Sequence, residues 1–117
     1  MKFIKAIFFI SLCSTLNAKN LDSINAIHHL DEWHNVCGVI HSIKNTKYGT
    51  LVNIGGAYPH QHITFSLKDK TLQLIEGRLG SINKYVGRTA CALGYISNYK
   101  SNPFLQVNNQ TTFRILR

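Results

Sequence analysis

Acidic residues are scarce in this chain. Five Asp and Glu stand against thirteen Lys and Arg, giving a formal net charge of +8 over 117 residues. The five acids are Asp22, Asp31, Glu32, Asp69 and Glu76. No two of them pair at a strand end, so acid–base chemistry by a carboxylate couple has no scaffold. A Ser-His-Asp order in a nucleophile elbow is also missing. Beyond the first eighteen residues there is no long apolar run, hence no later segment able to span a bilayer as a helix. Charge runs and low-complexity tracts are absent too. These gaps turn the expectation away from an enzyme and toward a binding domain with no cofactor.

Cysteine is sparse as well, and the N-terminus decides how its three copies are read. Met1–Lys5 is short and basic, and Ala6–Leu16 is apolar but too short to cross a membrane comfortably. Leu16-Asn17-Ala18 ends on a small residue, as a signal-peptidase site requires. The expectation is a cleaved secretory leader over 1–18 and one exported domain over 19–117, in the periplasm or outside the cell, with no stable membrane span after cleavage. The alternative is an uncleaved membrane anchor. Bulky Leu12 before Cys13 argues against lipid attachment there.

Export leaves Cys37 and Cys91, an even pair in an oxidising compartment, which predicts a disulfide. Parity agrees. Cys37 lies one residue before Gly38 and Cys91 three before Gly94, so both side chains share a strand face relative to their glycines. The alternative is two buried free thiols. Losing Lys2 and Lys5 with the leader leaves eleven basic residues against five acids, a net +6. A surplus of that size suits nucleic acid, anionic lipid or acidic envelope polysaccharide, and basicity alone separates none of them.

The remaining chain reads as strands. Val36-Cys37-Gly38-Val39-Ile40 and Cys91-Ala92-Leu93-Gly94-Tyr95-Ile96 each carry one glycine inside an apolar run. Such a glycine predicts a bulge or a tight barrel bend. Between them, Gly49–Pro59 runs from a Gly turn through an apolar strand to a Gly-Gly break and a Tyr-Pro corner. Asp22–Glu32, with Ile24, Ile27 and Leu30 spaced by three, predicts a short amphipathic helix. Strands are predicted at 35–43, 50–54, 61–67, 89–97 and 104–107, with a short terminal one at 112–116. Helical periodicity falls over 71–79.

The order strand-strand-strand-helix-strand-strand resembles the OB-fold, a five-stranded Greek-key barrel with a helix between its third and fourth strands. More narrowly, the chain resembles small exported bacterial OB-fold domains of the nucleic-acid-binding-like kind. The features that carry this are Val36-Cys37-Gly38, the Gly49–Pro59 strand, and the return Lys84-Tyr85-Val86-Gly87-Arg88 ahead of the Cys91 strand. The resemblance implies a binding surface on the outer face of the second and third barrel strands, flanked by the loops after the first and fourth. Transferred to this chain, the surface comprises Lys44, Lys47, Tyr48, Asn53, Tyr58, His60, His62, Thr64, Tyr99, Lys100 and Phe104. Tyrosines there offer stacking faces, and lysines there can track a phosphate backbone. The implied ligand is single-stranded nucleic acid or a similar polyanion. A protein-interaction module of an envelope assembly and an oligosaccharide binder are the alternatives. The third strand is not notably basic, unlike that of strong single-strand binders. Nor does the chain show the clustered carboxylates that a nuclease of the staphylococcal type needs.

The histidines predict little. His60 and His62 fall on one strand face, but two imidazoles are not a metal site. His28 and His29 point apart on neighbouring helical positions, and His34 and His41 read as strand-edge residues. No metal site is expected.

Overall fold

A computed structural model describes residues 19–116; the predicted leader over 1–18 lies outside them. Seven strands form one sheet system: β1 (Leu21–Asp22), β2 (Trp33–Thr46), β3 (Gly49–Ile54), β4 (Ile63–Leu67), β5 (Thr89–Tyr99), β6 (Asn102–Val107) and β7 (Phe113–Ile115). Five of them, β2 to β6, close a ring. β2 pairs with β3, β3 with β4, β4 in parallel with β6, β6 with β5, and β5 back with β2. Among the described residues the one α-helix, α1 (Asp69–Leu79), lies between β4 and β5. This is the connectivity that the OB-fold resemblance implies.

The ring closes because β2 is long enough to serve both halves. Trp33–Val39 pairs with β5, and Ile40–Thr46 pairs with β3. The register shifts between Ile40 and Ser42, so His41 is the bulged residue that bends the strand from one half to the other. Gly38 was expected to mark a bulge or a tight bend; the bulge falls at His41 instead. Gly38 pairs in regular register with Ala90, as Gly94 does with His34. What both positions require is space. A Cβ on Gly38 would collide with Ile54 Cγ2 and the Ser23 side chain, and one on Gly94 would lie 2.9 Å from Leu105 Cδ2.

Alternation fills the barrel. Ile63, Phe65 and Leu67 of β4 point inward and are fully buried with Ile40, Val52, Ile54, Ile96, Leu105 and Val107. α1 stops one end by burying Ile75, with Leu72 and Leu79 packed beside it. Arg78 of α1 donates to the carbonyls of Gln110 (2.7 Å) and Phe113 (2.9 Å), which ties the C-terminal segment to the helix. Phe113 then meets Phe65 edge to face, with ring centroids 6.4 Å apart. Among the described residues, no helix is long and apolar enough to cross a membrane.

The N-terminal segment departs from expectation. It is a 3-10 turn over Ser23–His28, not an amphipathic α-helix. At three residues per turn, Ser23 and Ala26 fall on one side, and both are buried. Small residues fit there because the turn lies against Gly38. Ile24 and Ile27, the expected apolar face, are exposed.

A disulfide joins Cys37 and Cys91, whose Cα atoms are 4.1 Å apart across the β2–β5 pair. The parity expected from the glycine offsets is the parity found. On the same outer face Trp33 packs edge to face on Tyr95, with Leu93 beside them, and all three are exposed.

Candidate ligand-binding groove

The register builds the site. Ser42, Asn53, Thr64 and Phe104 form one row across the outer face of β2, β3, β4 and β6. Lys44, Leu51 and Ser66 form the next row. Because Ile63, Phe65 and Leu67 face the core, Thr64 and Ser66 must face out. Two hairpin tips rise at the ends of these rows. The β2–β3 tip carries Lys47 and Tyr48; the β5–β6 tip carries Tyr99 and Lys100.

Between the tips lies a groove made of two joined depressions. One is a cavity of about 280 Å³. Its floor is Asn53, Gln61 and Thr64, and its walls are Tyr58, Tyr99 and Phe104, with Lys44 and Lys100 among its lining residues. The other runs along Lys47 and Tyr48 and shares Leu51, Tyr99 and Phe104 with the first. Among the described residues, no acid, histidine or cysteine lines either depression. Among the described residues no lysine or arginine is ion-paired, so the groove lysines carry uncompensated charge.

The floor is a chain of hydrogen-bonded polar side chains. Gln61 Nε2 donates to Thr64 Oγ1 at 3.0 Å, Thr64 Oγ1 donates to Asn53 Oδ1 at 3.1 Å, and Asn53 Nδ2 donates to Ser42 Oγ at 3.2 Å. Gln61, Thr64 and Asn53 are all buried. This network fixes the Gln61 amide and leaves its buried Oε1 without a protein partner. A buried unpaired acceptor costs about 1–3 kcal/mol.

The walls pair aromatic faces with charge. Tyr48, Tyr58 and Tyr99 are all more than half exposed. Lys47 Nζ lies 5.3 Å from the Tyr48 ring centroid and Lys100 Nζ 5.3 Å from that of Tyr99. Tyr99 also leans on Phe104 at 5.2 Å between centroids. Lys100 and Ser101 have φ of 51° and 69°, as a two-residue hairpin turn with matched strand twist requires.

Of the eleven residues transferred to the binding surface, nine line the groove: Lys44, Lys47, Tyr48, Asn53, Tyr58, Thr64, Tyr99, Lys100 and Phe104. His60 and His62 are not among the lining residues. β4 begins at Ile63, so the alternation does not extend back through 60–62. Gln61 turns into the groove, whereas the His62 ring packs on Gly55 and hydrogen-bonds Ser23 Oγ at 2.8 Å. The sequence reading passed over Gln61 as the spacer between two histidines. Nothing in local pattern marks it, because its role depends on where the strand starts.

A second polar cluster was also missed. Glu32 Oε1 lies 2.9 Å from His29 Nδ1 and 2.7 Å from His34 Nε2. Hydrogen bonds from His34 and then His29 hold the Glu32 carboxyl below its usual range. On β5, Tyr95 donates its hydroxyl to Asp31 at 3.0 Å, which raises the Tyr95 pKa.

The barrel and its groove define an OB-fold, and comparison with solved structures agrees. The fold is shared with a chain of the Stn1–Ten1 complex of S. pombe, at TM-score 0.54 and 18% identity over 73% of this chain and 58% of that one. A putative nucleic acid-binding lipoprotein from Klebsiella pneumoniae subsp. pneumoniae MGH 78578 matches at TM-score 0.53 and 15% identity, over 89% of this chain and 96% of that one. A putative aspartyl-tRNA synthetase from Leishmania major Friedlin matches at TM-score 0.57 and 6% identity, over 86% of this chain and only 21% of the synthetase. At such identities the likeness establishes the fold. No protein-family model and no curated protein matches the chain.

Proposed function

We propose that this protein is an exported binding domain whose groove holds single-stranded nucleic acid or a closely similar polyanion, without catalysing a reaction on it. The carrying observation is the groove's combination of groups. Exposed Tyr48, Tyr58 and Tyr99 offer stacking faces, unpaired Lys44, Lys47 and Lys100 offer charge, and Asn53, Gln61 and Thr64 offer a polar floor. A nucleotide uses all three: the base stacks, the phosphate meets ammonium, and base-edge or sugar polar groups meet the polar floor. The likeness to OB-fold structures, one of them described as a nucleic acid-binding lipoprotein, supports the reading. The disulfide supports export, since such bonds persist in oxidising compartments. Absence of acid, histidine and cysteine from the groove lining supports binding over catalysis.

The test is fluorescence anisotropy of labelled single-stranded DNA and RNA with the mature-length chain, alongside a neutral oligosaccharide. Saturable oligonucleotide binding at low salt is expected, and Tyr48→Ala or Tyr99→Ala should each cost about 1–3 kcal/mol of it. Binding of the neutral sugar alone would replace this reading with the oligosaccharide one. A second reading, a protein-interaction module of an envelope assembly, is favoured by the exposed Trp33, Leu93 and Tyr95 face. It expects negligible oligonucleotide affinity throughout.

A further inference from the structure

A metal-binding geometry lies away from the groove, where β2 leaves the N-terminal turn. His29 follows the 3-10 turn, Glu32 precedes β2, and His34 is its second residue. The backbone between them is pinned. Asp31 adopts a left-handed φ of 66°, and its N–H donates to the Ile96 carbonyl at 2.6 Å. The Ile96 N–H donates back to the Glu32 carbonyl at 2.9 Å. Tyr95 holds the Asp31 carboxylate from the side. β5 therefore presents the Glu32 carboxylate between the two imidazoles.

The three ligand atoms, His29 Nδ1, Glu32 Oε1 and His34 Nε2, all lie within 4.8 Å of one another. Tetrahedral coordination with bonds of about 2.0–2.2 Å needs ligand atoms roughly 3.3 Å apart. The two contacts to Glu32, at 2.9 and 2.7 Å, are slightly short of that spacing, and the widest separation, up to 4.8 Å, is long. Side-chain rotations that open the first two and draw the imidazoles together would admit an ion. Each imidazole can carry its proton on the other ring nitrogen and turn its lone pair inward. All three side chains are partly exposed, which leaves an entry path and an open coordination position.

We propose that His29, Glu32 and His34 form a site for one divalent first-row transition ion, of the Zn²⁺ or Cu²⁺ kind. Two imidazoles and one carboxylate suit these ions, whereas Mg²⁺ and Ca²⁺ seek all-oxygen shells. The ion would clip the N-terminal turn to the first barrel strand. The site shares no residue with the groove, so it stands apart from the nucleic-acid reading.

The chain carries its own reporter. Its single tryptophan, Trp33, lies between two of the ligands in sequence. The test titrates the protein with ZnCl₂ by calorimetry and with CuCl₂ by Trp33 fluorescence. One Zn²⁺ per chain is expected, Cu²⁺ should quench Trp33 with the same stoichiometry, and Mg²⁺ and Ca²⁺ should give no saturable signal. His34→Ala and Glu32→Gln should each weaken Zn²⁺ binding roughly 10- to 100-fold or more, since even outer-shell partners act on that scale. His29→Ala removes a partly exposed side chain outside the barrel strands, so it tests the site even if a β2 variant folds poorly. A His60→Ala, His62→Ala double variant should bind Zn²⁺ as the unaltered chain does. Absence of saturable Zn²⁺ binding would overturn the proposal. So would unchanged affinity in folded His29→Ala or Glu32→Gln protein, or loss of binding in the His60/His62 variant.

Discussion

Glycine 38 shows how one missing side chain shapes this molecule. Its Cα faces both Ile54 of the barrel and Ser23 of the N-terminal turn, so a methyl group there would strike two separate elements. Gly94 meets only Leu105 within 3.0 Å, and less closely than Gly38 meets its neighbours. Gly38→Ala should therefore destabilise the fold by about 1–3 kcal/mol, as overpacking does, and Gly94→Ala by less. Urea denaturation of the two variants measures the order. Equal losses, or no loss at Gly38, would show that the turn shifts away freely. The sequence marked both glycines as special but assigned them a bend. Only the ladder shows that His41 takes the bulge and that the glycines provide room.

Among the elements, the β2–β5 pair is the seam that turns a sheet into a barrel, and the disulfide crosses it. The crosslink spans 54 residues, including β3, β4 and α1. In the chain-entropy model a loop of this size contributes roughly 3–4 kcal/mol. Reduction, or replacement of both cysteines by Ala, should lower the thermal midpoint accordingly. Two free thiols in non-reduced protein, or a midpoint indifferent to reductant, would contradict this. The crosslink was legible in the sequence because it needs only export, an even count and period-2 parity. The 3-10 turn was not. Spacing of three in Ile24, Ile27 and Leu30 looked like an amphipathic face. The tertiary contact of Ser23 with Gly38 instead turns the Ser23 and Ala26 side of the turn inward, and both are buried.

At the scale of the whole molecule, barrel closure gathers groups that the sequence scatters from Lys44 to Phe104 into one groove. Strand order and helix placement were readable because alternating apolar residues and turn chemistry repeat along the chain. Much of the groove followed from the topology that the resemblance implies. What stayed hidden depends on exact strand ends and on loops meeting strands: Gln61 in place of His62 on the groove floor, and His29 and His34 converging on Glu32. The central claim is that the three groove lysines meet phosphates. Each phosphate neutralised on a single strand contributes about −0.7 to the slope of log K against log salt. Titrating a labelled oligonucleotide across a salt series should give a slope of about −2, and Lys100→Ala should flatten it by about 0.7. Undetectable binding at low salt, a slope near zero, or a slope unmoved by Lys100→Ala would contradict the account.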